Sequence, residues 1–189
     1  MIDFFLSTLL SNNIALTLIL GMCPLIAIST NVKNARGMGI AVVIVVTLTA
    51  VINYPIYQLL VLTGTQDLSL LAFIITIAAV VQVLEILLEK FIPSLYNAFG
   101  VYLPLITVNC VVLAVSQFFV TRDYNYGETA VFAFGSSLGW LLAIVLVASI
   151  REKLSVYGDL PKGLRGRAIV FVILGILALA FSGFAGLSV

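Results

Sequence analysis

Histidine is absent from this sequence, and charge is scarce: nine lysines and arginines and eight acidic residues among 189. Without histidine there is no imidazole for a proton relay or a haem ligand. A net charge of +1 leaves no basic surface for a nucleic acid. Cysteine occurs twice, too seldom for a disulfide framework. The opening Met1-Ile2-Asp3 lacks the positive n-region of a secretory signal, and the first apolar run is too long for an h-region. No cleaved leader is expected, and the first helix should remain.

What is present is apolar. Hydrophobic residues make up 62% of the chain, where soluble domains hold about 45–50%, and mean hydropathy is +1.25. The apolar stretches recur at a length of about 20 residues, enough for a helix to cross a bilayer and unlike the short alternating segments of a barrel. The composition therefore predicts an all-α polytopic membrane protein. Six spans can be drawn: Phe4 to Ser29, Met38 to Leu62, Leu68 to Leu88, Ile92 to Val120, Ala130 to Ser149 and Ala168 to Leu187. No connection between them is long enough to fold separately, so residues 1–189 form a single membrane domain.

The first, third and fifth connections carry Lys33, Arg36, Lys90, Arg151, Lys153, Lys162, Arg165 and Arg167, whereas the other side has only Arg122. By the positive-inside rule the odd connections are cytoplasmic and both termini lie on the outer side.

One segment recurs. Cys23-Pro24-Leu25-Ile26-Ala27-Ile28-Ser29 is echoed by Cys110-Val111-Val112-Leu113-Ala114-Val115-Ser116, so the only two cysteines occupy matching places. Three spans precede the second copy, and an odd number of crossings reverses its direction. The halves, about 1–90 and 91–189, then read as inverted three-helix repeats, with helices 1 and 4 broken at mid-membrane near the cysteines. Pro24 directly follows Cys23, which suggests a helix ending near Gly21 and a half-helix starting with Cys23 at its N-cap. In the second copy Pro104 breaks the helix earlier, and Thr107 or Asn109 is the candidate cap before Cys110. Helix N-termini stabilise anions, thiolates included.

A buried cysteine in a membrane helix is ordinarily an apolar filler; the inverted pairing sets Cys23 and Cys110 apart. Two thiolates make a soft half-site for an iron–sulfur centre or zinc, and such centres need four ligands. With no third cysteine, a second chain would have to complete it. A disulfide between Cys23 and Cys110 is the competing use.

Longer segments carry a resemblance. Asn12-Asn13, Leu20-Gly21-Met22-Cys23-Pro24, the run from Leu95 to Cys110, Ile150-Arg151-Glu152-Lys153 and Gly163-Leu164-Arg165-Gly166 resemble a known family across almost the whole chain. It comprises the homologous small membrane subunits of the Na+-translocating NADH:quinone oxidoreductase and of the Rnf ferredoxin:NAD oxidoreductase. Thr107-Val108-Asn109-Cys110, Arg122-Asp123-Tyr124 and the segment Phe134 to Trp140 look more like the quinone-reductase branch, while Pro24 is more typical of the Rnf branch. The resemblance implies that Cys23 and Cys110 ligate half of an intramembrane [2Fe-2S] cluster, with two further thiolates from a homologous partner subunit of opposite topology. It also implies a multisubunit Na+-moving complex in the bacterial inner membrane, in whose lipid bilayer this chain binds neither NADH nor flavin and is not catalytic alone.

Other residues have plainer readings beside sharper ones. Glu85 and Glu89 lie one turn apart, as interfacial anchors or as part of an ion path. Asn12, Asn13 and Asn109 either bond neighbouring helices or serve a cation or the cluster sulfurs. Gly135 with Gly139, and Gly183 with Gly186, form small-residue faces suited to subunit contact. The basic connection from Arg151 to Arg167 sets topology or docks a peripheral partner. Two other functions fit inverted broken helices: a small secondary transporter, and an assembly scaffold.

Overall fold

Two long helices lying side by side carry most of the core. The structure is a computed structural model that describes residues 18–91, 104–107, 109–157 and 168–185. The first part of span one with Asn12 and Asn13, the run 92–103, the positions Lys162, Arg165 and Arg167, and Gly186 lie outside the described residues. Among the described residues the elements are α1 (Met22–Ile28), α2 (Val32–Thr63), α3 (Ser69–Phe91), α4 (Pro104–Thr107), α5 (Cys110–Thr121), α6 (Tyr126–Tyr157) and α7 (Ala168–Ala185). A 3-10 turn, Gln66–Leu68, precedes α3, and these residues include no strand.

α2, α3 and α6 are long and apolar enough to cross a membrane, and α5 and α7 are shorter apolar helices. At 1.5 Å per residue, α2 and α6 are each about 48 Å long, well beyond a hydrocarbon core of about 30 Å. Their ends therefore project from it. Asn31 starts α2 by accepting the Lys33 N–H at 3.3 Å, and Gly64, at φ 69°, ends it. Hydropathy starts span two at Met38 and ends span five at Ser149, but α2 already includes Lys33 and Arg36 and α6 runs on through Arg151 and Lys153. Charge ends an apolar run without ending a helix, because lysine and arginine are good helix formers.

Contacts at both ends show that α2 and α6 are antiparallel. The first N–H of α2, on Val32, donates to Glu152 near the end of α6, while Tyr54, late in α2, meets Tyr126 at the start of α6 with ring centroids 5.3 Å apart. Between them lie Met38, Val42, Val45, Val46 and Ala50 of α2 and Ala143, Ile144 and Val147 of α6, all buried. Lys33, Arg36, Arg151 and Lys153 thus share one end of the molecule, and Arg122 sits at the other. There it lies over the Phe118 ring, beside a cluster of Tyr54, Tyr57, Phe73, Phe119 and Tyr126. Gly135 and Gly139 are buried inside the chain, so that small-residue face serves internal packing, not subunit contact. The outward surfaces are instead large and aliphatic: Ile40, Ile44 and Leu48 on α2, and Leu71, Ile75 and Ile86 on α3.

Candidate functional site

The site is built on two helix starts that face each other. Ahead of α1 the backbone enters the left-handed region twice, at Ile19 (φ 54°) and at Gly21 (φ 81°). For a β-branched residue such as Ile19 that conformation is strained, at a cost on the order of 1–3 kcal/mol. Glycine adopts it freely, which fixes Gly21 as the N-cap of α1. The sequence pattern puts Cys23 in the cap position; it is instead the second helical residue, because the break falls at the glycine and not at the residue before proline. Pro24 is then the third residue of the helix, where its missing N–H has no intrahelical partner to lose.

Asn109 caps α5, its Oδ1 accepting the Val111 N–H at 3.1 Å, and Cys110 is the first helical residue. Of the two candidate caps, Asn109 is the one used. α4 ends at Thr107 and α5 begins at Cys110, so the helical path is interrupted just before the second cysteine.

The two starts touch. The Gly21 N–H donates to Cys110 Sγ at 2.9 Å, across 89 residues of sequence. This brings Cys110 against the turn that leads into Cys23. Both cysteines are free thiols; Cys23 is exposed and Cys110 half-buried. A Cβ on Gly21 would overlap Trp140 Nε1 and come within 2.7 Å of Val111 Cγ2, so only glycine lets this turn lie against α5 and α6.

Two buried donors on the residues that form this junction have no partner. Trp140 is fully buried, and its Nε1–H makes no hydrogen bond. Asn109 is 2% exposed; its Oδ1 is committed to the Val111 N–H, which leaves Nδ2 as the free end, and that nitrogen is also unpartnered. Such an orphaned donor costs about 1–3 kcal/mol. The Gly21 N–H that reaches Cys110 and these two unpartnered groups at the junction are all N–H donors.

The far end of α1 is held as firmly. Arg151 donates to the Ile26 carbonyl at 3.2 Å and to Ser29 Oγ at 2.9 Å, placing a cation at the carbonyl end of the half-helix. Glu152 accepts the Val32 N–H and so places an anion at the start of α2. The serine that matches Ser29 in the second copy, Ser116, is buried and accepts from Asn53 Nδ2 at 2.8 Å.

The structure thus brings Cys110 against the turn two residues ahead of Cys23. No group of three or more potential metal-ligating side chains occurs among the described residues. Glu85 is half-buried and Glu89 exposed near the end of α3. Trp140 and Arg151 are parts of the site that the sequence pattern does not announce. Trp140 is the only tryptophan of the chain, and a lone indole in an apolar helix was the available hint.

Residues 1–188 match a family described as Rnf-Nqr subunit, membrane protein. The chain belongs to the Rnf-Nqr membrane-subunit family. This Rnf-Nqr chain is 49% identical to a Methylococcus capsulatus protein named as the E component of Na(+)-translocating NADH-quinone reductase, over 98% of this chain and 97% of that one. Proteins of the same name from Azotobacter vinelandii and Marinobacter nauticus are 48% and 46% identical, with at least 97% of either chain covered in each case. These Rnf-Nqr relatives carry the quinone-reductase name, the branch that the Arg122-Asp123-Tyr124 and Phe134 to Trp140 segments resemble.

Proposed function

We propose that this chain is the E-type membrane component of an Na+-translocating NADH:quinone reductase. In this reading Cys23 and Cys110 hold half of an intramembrane [2Fe-2S] cluster, and a homologous partner of opposite topology supplies the other two thiolates. The observation that carries it is the Gly21 N–H to Cys110 Sγ contact, which joins the two cysteine-bearing helix starts. The residues present fit such a group. Two free thiols are the soft ligands it needs, the neighbouring N–H groups suit sulfur acceptors, and the turn at Gly21 leaves no room for a side chain. The exposure of Cys23 supports completion by a second chain.

A [2Fe-2S] cluster stores and passes one electron at a time. This chain's part is positional: Gly21 and Asn109 set the two starts, Arg151 fixes the far end of α1, and the large aliphatic faces of α2 and α3 meet lipid or neighbouring subunits. The antiparallel α2 and α6, each of 32 residues and each following a cysteine-bearing half-helix, support the inverted-repeat reading. The clustering of Lys33, Arg36, Arg151 and Lys153 at one end supports a cytoplasmic location for that end, in the bacterial inner membrane.

The test is a purified complex assayed for iron and for a cluster signal by electron paramagnetic resonance. Cys23→Ser and Cys110→Ser should each abolish one cluster signal while the subunits still copurify. Persistence of every wild-type signal in both variants would refute the assignment.

A further inference from the structure

We infer that Trp140 and Asn109 are hydrogen-bond donors to the sulfur atoms of the group held at Cys23 and Cys110, and that they raise its reduction potential. The inference rests on the cluster reading above and assigns a role to two side chains that are not ligands in it.

The two unpartnered side-chain groups at the junction are of one kind. Trp140 offers only an indole N–H, and the Asn109 amide presents its NH2 because its oxygen is committed to the α5 cap. Both nitrogens are buried without a partner. The third polar contact in the site, the Gly21 N–H, already points at a cysteine sulfur. N–H donors suit a sulfur acceptor and do not suit a sodium ion, which requires oxygen lone pairs. Thiolate and sulfide sulfur satisfy all three.

Placement agrees with this donor set. The Trp140 nitrogen lies against the Gly21 backbone, the residue whose own N–H reaches Cys110. Asn109 immediately precedes Cys110 and is fixed by its capping bond. One-electron reduction of such a group, with the electron supplied by upstream carriers of the complex, would add one negative charge to it. N–H donors stabilise that added charge more than they stabilise the oxidised form, so they favour reduction. Trp140 and Asn109 are accordingly positioning residues for the potential, not ligands.

The experiment is a redox titration of the assembled complex, following the cluster signal that depends on Cys23. Trp140→Phe removes the indole N–H, and Asn109→Ser removes the amide donor while keeping a capping oxygen. Each variant should retain the signal but show a several-fold lower reduced-to-oxidised ratio at the wild-type midpoint. The double variant should approach tenfold, which for one electron is about 59 mV toward lower potential. If Trp140→Phe fails to assemble, the benzothiophene analogue of tryptophan, of nearly the same shape with sulfur in place of N–H, is incorporated at position 140 and titrated instead. Signals at unchanged midpoint in the Asn109→Ser variant and in either position-140 variant would overturn the inference and leave the cluster assignment standing. A wild-type complex without any Cys23-dependent signal would overturn both.

Discussion

Replacing Gly21 with alanine should damage the site severely. The cost has two parts. At φ 81° an L-residue with a Cβ is disfavoured by about 1–2 kcal/mol. The methyl would also overlap Trp140 Nε1 and crowd Val111 Cγ2 at 2.7 Å; both neighbours are fully buried, and overpacking of that kind costs about 1–3 kcal/mol. Together these give about 2–5 kcal/mol, with the junction moved off Cys110. Gly64 is an internal control: it too has positive φ, 69°, but nothing lies within 4 Å of its would-be Cβ. Gly64→Ala should therefore incur only the backbone part. The assay is the half-life of the purified complex at a fixed elevated temperature, together with cluster signal per complex at low temperature. Gly21→Ala should shorten the half-life far more than Gly64→Ala and weaken or lose the signal. Equal behaviour of the two variants would refute the close approach of the α1 start to Trp140.

Arg151→Ala removes two charge-assisted hydrogen bonds at the end of α1, each worth about 1.5–3 kcal/mol. It should destabilise the complex, with Arg151→Lys intermediate because an ammonium keeps the charge but not the planar guanidinium's reach and donor geometry; a melting curve for Arg151→Ala like the wild type's would rule the clamp out. Ser116→Ala leaves the buried Asn53 amide with no partner at either end, at about 1–3 kcal/mol. Adding Asn53→Leu should recover part of that loss, and strictly additive losses would contradict the coupling. For topology, Lys153→Cys and Arg122→Cys are both exposed positions at opposite ends. An impermeant thiol reagent applied to intact cells should label the second and not the first, and labelling of both or of the first alone would reverse or discard the proposed orientation.

Legibility in the sequence followed the length scale of the physics. The cysteines were legible because each is unique within its half and the two stand in matching heptapeptides; the structure brings their helix starts into contact. The apolar middles of α2, α3 and α6 were legible from hydropathy, which integrates over a whole span. Ends were not. Lys33 and Arg36 lower hydropathy without unwinding α2, since Asn31 caps the helix ahead of them, and the same holds for Arg151 and Lys153 on α6. The cap falls at Gly21, two residues before the position that proline suggests, because proline is a louder breaker than glycine, yet only glycine could take the required dihedral. Trp140 is visible in the sequence only as part of a resembling segment. That its N–H is orphaned and turned toward Gly21 depends on where α6 lies relative to α1, which no local pattern encodes.

The hydrogen bonds that tie down the two half-helices cross between the halves of the chain. Ser29, at the end of the half-helix that carries Cys23, is held by Arg151 from the long helix of the second half. Ser116, the matching residue on the half-helix that carries Cys110, is held by Asn53 from the long helix of the first half. Neither thiol can then move independently: a shift of α2 against α6 pulls on both serines, and the Gly21 contact with Cys110 transmits displacement of one start to the other. A packed pair of long helices tends to hold discrete arrangements instead of deforming continuously. In the proposed complex this makes α2 and α6 the elements through which a change at the cysteines would be felt at the Tyr54 to Tyr126 end. It also gives a reason for the partners to be different in kind. Arg151 answers the carbonyl end of a seven-residue helix, where a cation is favoured, whereas Asn53 reaches a serine in the middle of α5, where a charge would have no helix terminus to meet.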